Sequence, residues 1–157
     1  MAITLNPFRQ SPGYCGPASL KILLEYYGKS FSEDELARIC GSTQEKGTDH
    51  AELVAALETL GEKPVAKERA TIEDVRSYIR KGTPVIVGWW STDEDHYSVV
   101  YDMRDETISL MDPEVEGGSV VMPITDFEKV WHDFDGAQNI RVERWMLAIE
   151  RPAPERP

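Results

Sequence analysis

Cys15 is the residue of this sequence best suited to nucleophilic chemistry. It follows the Pro12-Gly13 turn and opens a segment, Cys15 to Tyr27, that has the pattern of a helix. The first turn of a helix carries unpaired N–H groups and the positive end of the macrodipole, which favour a thiolate over a thiol. Gly16 would leave space beside the sulfur for a substrate backbone. The alternative is a small buried side chain, which is the usual fate of a lone cysteine.

A nucleophilic cysteine needs a general base, and the sequence contains three histidines, His50, His96 and His132. His132 follows Trp131 near a helix end and His50 lies in the first turn of a helix, so we expect both to be exposed to solvent. His96 opens a strand directly after a loop, and catalytic side chains collect where loops feed strand ends. His96 is therefore the predicted base.

An imidazole base needs a partner that fixes its tautomer, and Asp112, which precedes Pro113, is the candidate. If the predicted hairpin pairs Val100 with Ile108, His96 falls directly opposite Asp112 on the same face of the sheet. A slip of one residue would place the two side chains on opposite faces. The alternative is that His96 is an ordinary edge residue and that Asp-Pro only starts a turn.

Three segments, QSPGYCGPASLKILLEYYG, DHYSVVYD and ISLMDP, together resemble the papain-like cysteine peptidases of the bacteriocin-processing (double-glycine leader peptidase) family. The resemblance extends from about Gln10 to Pro113. It implies a papain-like fold and a site in which Cys15 is the nucleophile, His96 the general base and acid, and Asp112 the orienting residue. Gln10 would donate to the oxyanion together with the backbone N–H of the cysteine. Four residues separate Gln10 from Cys15, where many papain-like enzymes have five.

The sequence contains no transporter or ATPase segment, so the resemblance implies a stand-alone peptidase domain with a peptide or protein substrate. A leader peptide that ends in two glycines is therefore not assumed as the substrate. Trp90 and Asp95 are predicted to contact substrate, and the acidic run Asp93 to Asp95 would attract basic peptides. The alternatives are core packing for Trp90 and a solvated loop for the acidic run. Cys40 is expected to be buried, without a disulfide to Cys15.

The elements that must position these residues form a helical first half and a strand-rich second half, which predicts an α+β fold with the first helix buried against an antiparallel sheet. After the first helix, further helices are predicted to be capped by Ser32, by Thr48 or Asp49, by Thr71 and by Thr125. Strands are predicted at 64–68, 84–90, 96–103, 106–111, 119–122 and 144–150.

Composition limits the classes of function. The 157 residues fit one domain, predicted at 1–150 with a disordered tail at 151–157. The formal net charge is 17 − 28 = −11, which disfavours binding to nucleic acid or to an anionic membrane surface. No targeting segment and no metal-ligand spacing is recognisable, and two cysteines suit a reducing cytoplasm. We expect neither a cofactor nor a metal, and the oligomeric state stays open.

The predicted function is hydrolysis of peptide bonds by a cysteine peptidase. Two alternatives remain at this point. One is a transferase resembling phytochelatin synthases, which would move a γ-glutamyl-cysteinyl group to glutathione. The other is a catalytically silent peptide-binding or regulatory domain on the same scaffold, which would have an unreactive Cys15.

Overall fold

The structure is a computed structural model that describes residues 3–150. It has five helices within this range: α1 (Cys15–Tyr26), α2 (Glu33–Cys40), α3 (His50–Thr59), α4 (Ile72–Arg80) and α5 (Ile124–Val130). The strands are β1 (Pro64–Lys67), β2 (Val85–Ser91), β3 (Glu94–Met103), β4 (Thr107–Met111), β5 (Ser119–Pro123), β6 (His132–Asp135), β7 (Ile140–Glu143) and β8 (Trp145–Ile149). The prediction of a tail at 151–157 lies outside the described residues.

Six strands form one sheet in the order β1-β8-β2-β3-β4-β5, and every neighbouring pair is antiparallel. The strands β6 and β7 form a separate antiparallel hairpin. The α+β prediction is confirmed.

Helix α1 is the centre of the core. Leu20, Leu23 and Leu24 are fully buried, and the helix packs against β3 and β2. A helix that is apolar around most of its circumference has to be enclosed on most sides, which is what the sequence pattern predicted. Because α1 is held in this way, its first residue, Cys15, has a fixed position at the edge of the core.

Three of the predicted helix starts are confirmed by reciprocal capping boxes, Ser32 with Glu35, Asp49 with Glu52 and Thr71 with Asp74. The predicted cap at Thr125 is wrong. Helix α5 begins at Ile124, directly after Pro123, and no side chain caps it. Strand β5 ends at Pro123, and the N–H of Ile124 donates to the carbonyl of Glu106, so the chain enters the helix before Thr125 is reached.

The register of the β3–β4 hairpin differs from the prediction. Val100 pairs with Leu110, not with Ile108, and the ladder shifts between Val100 and Asp102. A bulge of this kind adds one residue to one strand, and the turn that follows is longer than the predicted one. On the His96 side of the bulge the offset is two residues, 110 − 108, an even number that keeps His96 and Asp112 on one face, whereas between the bulge and the turn the offset is odd. His96 and Asp112 are consequently diagonal neighbours on one face and are not directly opposite each other.

The hairpin of β6 and β7 was not predicted from the sequence. It follows α5 directly, and its strands are short and rich in polar residues. Among the described residues, no helix is both long enough and apolar enough to cross a bilayer.

Candidate active site

One groove brings three of the four predicted catalytic residues to a common surface. Gln10, Cys15 and His96 line it, and Asp112 lies directly behind His96. The loop after α2, the start of β3 and the β6–β7 hairpin form the other sides of the groove.

Cys15 occupies the first position of α1 and is half-buried. No side chain caps the helix at Tyr14, so the first turn presents backbone N–H groups toward the groove end of the helix. Cys40, the second cysteine, is buried in α2, and neither cysteine forms a disulfide. The burial of Cys40 and the charge of Glu52 raise the pKa of its thiol to about 12, so it stays protonated at neutral pH.

His96 lies on β3 beside Trp89 of β2 and is only 2% exposed. Its Nε2 lies 2.5 Å from Asp112 Oδ1, and because a carboxylate only accepts, Nε2 is the donor. Cys15 lines the same groove and affects the pKa of this ring. Since Nε2 is already used, Nδ1 is the nitrogen that can face the sulfur.

The ionisation of His96 reflects these two partners. Burial disfavours the imidazolium, but hydrogen bonds with Asp112 and Cys15, together with the negative charge of both groups, outweigh burial and raise the His96 pKa to about 10. Asp112 is itself held in place, because its Oδ1 also accepts the N–H of Glu114 at 2.9 Å. The arrangement can hold a proton on the imidazole at neutral pH, next to a sulfur nucleophile.

The loop that precedes Cys15 is fixed at three points. The N–H of Gln10 donates to the carbonyl of Pro113 at 2.8 Å. Ser11 donates through its N–H and its hydroxyl to the two carboxylate oxygens of the buried Glu33, at 2.8 and 2.6 Å. Gly13 has a φ of +79° and lies so close to the backbone of Gln44 that a Cβ would be 2.3 Å from its carbonyl oxygen.

These contacts bring the Gln10 side chain to the groove despite the short spacing to Cys15. Its Nε2 makes one long hydrogen bond, 3.3 Å, to the Ser11 carbonyl, and the amide nitrogen carries a second N–H. That second N–H is the one that could donate to an oxyanion.

The three residues predicted to contact substrate have different positions. Asp95 lines the groove, and its Oδ1 accepts the N–H of Phe134 at 2.7 Å. Trp90 is not among the lining residues; its ring packs against His132 and Phe134, so it supports the groove from behind. Gly16 is buried against Thr48, where a Cβ would lie 2.8 Å from the threonine side chain, so close packing of α1 explains this glycine better than room for a substrate.

Two features of the groove were missed by sequence reasoning. His50, predicted to be exposed, is buried, and its Nε2 lies 2.6 Å from Asp133 Oδ2. Glu114 Oε2 lies 3.6 Å from His96 Nδ1. The His50–Asp133 pair joins residues 83 positions apart, and Glu114 lies in a loop for which the sequence predicted no helix or strand. The Asp135 carboxylate that accepts the N–H of His50 belongs to the β6–β7 hairpin, which had no strong strand pattern.

Within residues 3–150, no group of three or more His, Cys, Asp and Glu side chains is arranged to hold a metal ion. The groove presents thiol, imidazole, amide and carboxylate groups.

Comparison with protein-family models matches residues 8–134 to the peptidase C39 family. An uncharacterized protein of Methanothermobacter marburgensis is 37% identical over 110 residues, covering 67% of this chain and 69% of that protein. An uncharacterized protein of Methanothermobacter thermautotrophicus is 33% identical over 144 residues, covering 91% of this chain and 87% of the relative.

Among solved structures, the peptidase domain of Streptococcus ComA, a bifunctional ABC transporter involved in quorum sensing, has a TM-score of 0.74 at 19% identity. The alignment covers 96% of this chain and 98% of that domain. A double glycine motif protease from an AMS/PCAT transporter, solved in complex with the leader peptide, has a TM-score of 0.71 at 18% identity and coverages of 94% and 92%. At these identities the likeness establishes the fold, and the prediction of a papain-like peptidase fold is confirmed.

Proposed function

The chain belongs to the peptidase C39 family, and from that premise we propose that it is a cysteine peptidase that hydrolyses peptide bonds. The observation that supports this most directly is the arrangement of His96, which is bonded to Asp112 through Nε2 and adjoins the Cys15 thiol. A silent scaffold has no need for a buried, charged imidazole between a carboxylate and a thiol, because burying such a group is unfavourable unless its partners compensate.

In the first half of the proposed reaction, the Cys15 thiolate attacks the carbonyl carbon of the scissile bond. The oxyanion that forms is held by the backbone N–H of Cys15 and by the Gln10 amide. Imidazolium His96 then transfers its proton to the leaving nitrogen, the C–N bond breaks, and the amine product leaves a thioester on Cys15.

In the second half, neutral His96 takes a proton from a water molecule, and the resulting hydroxide attacks the thioester carbon. The C–S bond breaks, the carboxylic acid product departs, and the thiolate–imidazolium pair is restored. Asp112 keeps the ring oriented in both steps, and the His96–Asp112 hydrogen bond is buried.

The substrate is proposed to be a peptide bound in an extended conformation along the groove. One structural neighbour was solved with a leader peptide, but the likeness to it establishes only the fold. We propose the cytoplasm as the compartment, since both cysteines are free thiols and chemistry at Cys15 requires one.

The test compares the wild type with Cys15→Ala and Cys15→Ser, using a mixed peptide library read by mass spectrometry. We expect cleavage by the wild type and none by either variant, each of which should still fold and unfold cooperatively. Cys40→Ala is the matched control and should retain cleavage. Iodoacetamide at pH 7 should label Cys15 and not Cys40, whose raised pKa keeps it protonated. Undiminished cleavage by Cys15→Ala would remove the assignment.

A further inference from the structure

The groove is strongly acidic beyond the residues used in the proposed mechanism. Its lining includes six carboxylate side chains, Glu45, Asp49, Glu94, Asp95, Glu114 and Asp133. The cationic groups that line it are Lys46 and His96. Lys46 forms an ion pair with Glu52, and His96 is already shared between Asp112 and Cys15. The groove therefore presents a negative potential that its own cations leave uncompensated.

Asp49, Asp95 and Asp133, which we call the acidic wall, line the same groove as Cys15. They come from the start of α3, from β3 and from the β6–β7 hairpin. Burial raises the pKa of the Tyr97 hydroxyl well above 10, and the charges of Asp133, Cys15, Asp135 and Asp49 raise it further. A substrate that reaches Cys15 must pass near the acidic wall.

Asp133 is the unusual member of the acidic wall. It is only 2% exposed, its Oδ2 lies 2.6 Å from His50 Nε2, and its Oδ1 is buried with no hydrogen-bond partner among residues 3–150. A buried carboxylate oxygen without a donor is costly, so such atoms in folded proteins usually have a partner. Asp133 is also among the residues that line the groove, so its carboxylate, which is bonded only through Oδ2, can act electrostatically on a ligand there.

His50 does not neutralise this region. Its one imidazole is shared between Asp133 and Asp135, with Nδ1 3.5 Å from Asp135 Oδ2, and Asp95 adds a third carboxylate nearby. One imidazole therefore serves three neighbouring carboxylates. The pKa of Asp95 is raised in this environment. Burial and the charges of Asp133 and Asp135 raise it, although the N–H of Phe134 and the charge of His50 act in the opposite direction.

The negative charge that the groove leaves unbalanced suits an organic cation better than a metal ion. No group of three or more ligating side chains in the described part of the chain is arranged around a common metal position. Phe134, whose N–H donates to Asp95, also lines the groove, and its ring packs edge-on against Trp90. Two carboxylates and an aromatic ring are a typical environment for a guanidinium group, which bonds carboxylates through a fork of N–H donors and stacks on rings.

We infer that the acidic wall is a specificity subsite that binds a basic side chain, arginine in preference to lysine, of the peptide substrate. This inference rests on the proposed peptidase function and adds the substrate class. The exposed Asp95 would bind the N–H groups of the basic side chain, and the charge of Asp133 behind it would attract the cation.

The experiment uses matched fluorogenic peptides in which one position at a time, on either side of the cleaved bond, carries arginine or its neutral isostere citrulline. For the wild type we expect kcat/KM to be roughly tenfold or more higher with arginine at one position, as is typical of charge-assisted hydrogen bonds. Lysine at that position should give an intermediate value. The ratio of arginine to citrulline should fall in 0.5 M salt, because salt screens the attraction.

Asp133→Asn and Asp95→Asn should each lower that ratio at least fivefold, since each removes one charge and keeps the shape of the side chain. Asp95 is exposed, so its variant remains informative if Asp133→Asn folds poorly. Glu128→Gln is the matched control: it removes the same charge from an exposed position on α5 outside the groove and should leave the ratio unchanged.

The outcomes separate this inference from the proposed function. Efficient cleavage by the wild type with equal rates for arginine and citrulline peptides overturns the subsite and leaves the peptidase intact. Absence of cleavage with every peptide overturns the peptidase. In that case, binding of the same peptides to Cys15→Ala, measured by fluorescence anisotropy, decides the subsite. Tighter binding of the arginine peptide, lost in Asp133→Asn, supports it, and equal binding overturns it.

Discussion

Asp112 is the residue whose hydrogen bond most strongly favours the ionised form of His96, and its charge acts in the same direction. The hydrogen bond from His96 Nε2 to this carboxylate is 2.5 Å long and buried. An amide at the same position would still accept the bond but would carry no charge. The comparison of carboxylate with amide therefore isolates the electrostatic part of the interaction.

Asp112→Asn should lower kcat/KM by about 10²-fold, the scale of an impaired general acid–base. It should also move the alkaline limb of the pH profile of kcat/KM to lower pH. The wild-type His96 has a pKa of about 10, so its imidazolium is lost as the pH rises through that value. Without the carboxylate the His96 pKa falls, and the imidazolium is lost at a lower pH.

Glu114→Gln is the control variant. It alters a half-exposed carboxylate 3.6 Å from His96 Nδ1 and should shift the alkaline limb less, because solvent screens its charge. An unshifted limb in Asp112→Asn would contradict the assignment of the limb to His96.

The same pKa shift makes a contribution to stability with a defined sign. The folded His96 has a pKa of about 10, above its ordinary value of 6.5, so the folded state binds the proton more tightly than the unfolded state. This stabilisation is complete below pH 6.5, declines as the pH rises and is lost above about pH 10. The free-energy difference between wild type and Asp112→Asn, measured by urea unfolding, should therefore shrink between these pH values.

At the level of elements, the site depends on how the loop before α1 is attached to its neighbours. The N-terminus of α2 holds this loop through Glu33, whose two carboxylate oxygens both accept from Ser11. This contact joins elements 22 residues apart in sequence. It keeps Gln10 beside Pro113 and therefore beside the His96–Asp112 pair.

Glu33→Ala should lower the free energy of unfolding by about 1–3 kcal/mol, because it leaves part-buried donors of Ser11 without their acceptors. It should also lower kcat, since the Gln10 amide would no longer be held at the groove. Urea unfolding and steady-state kinetics measure the two effects. Asp34→Ala, which removes an exposed acid from the same first turn, is the control and should change kcat little. If the two variants behaved alike, only the helix dipole would be involved, and the proposed role of the Glu33 contact would be wrong.

Gly13 provides a second attachment of the same loop. Gly13→Ala should destabilise the protein more than Gly28→Ala, although both glycines have left-handed φ values, +79° and +83°. The added Cβ at Gly13 would lie 2.3 Å from the backbone oxygen of Gln44, whereas nothing lies within 4 Å at Gly28. The backbone cost of about 1–2 kcal/mol is common to both and cancels in the comparison. Thermal unfolding measures the difference, and loss of activity should accompany only the Gly13 variant. Equal effects at the two positions would mean that the contact with Gln44 is unimportant.

At the scale of the whole molecule, the β6–β7 hairpin is joined to the large sheet by a small group of buried polar contacts. His50 stacks on Trp145 of β8 with ring centroids 4.1 Å apart and contacts Asp133 of β6. Gly88 of β2 makes this approach possible, because a Cβ there would lie 2.4 Å from Asp133 Oδ2 and 3.3 Å from His50 Nε2. The absence of one side chain on the central sheet thus allows the hairpin to border the groove.

Gly88→Ala should displace the hairpin, destabilise the protein by several kcal/mol and weaken peptide binding. If the contact with Asp133 is the cause, Asp133→Ala should make the same substitution less damaging. A double-mutant cycle by urea unfolding measures this coupling, which we expect to be about 1–3 kcal/mol. Additive effects would indicate that the damage at Gly88 arises elsewhere in the sheet.

Local patterns in the sequence were sufficient for most of the elements and for the choice of site residues. The apolar circumference of α1, the capping signals at Ser32, Asp49 and Thr71, and the Cys-Gly-Pro and Asp-Pro segments each depend on residues close together in the chain. Such features are encoded by short-range spacing and propensity. The prediction that Cys15, His96 and Asp112 act in catalysis stays a prediction until the experiments above are done.

The tertiary structure alone decided how the groove is built. The two-residue offset of the β3–β4 ladder depends on a bulge and a turn length that no local pattern specified, yet His96 and Asp112 still share a face because the side-chain period of a strand is two. The buried His50–Asp133 pair, which attaches the β6–β7 hairpin, joins residues 83 positions apart. Their stability comes from burial and long-range hydrogen bonds, which exist only once the chain has folded, so their residues carry little signal in the sequence.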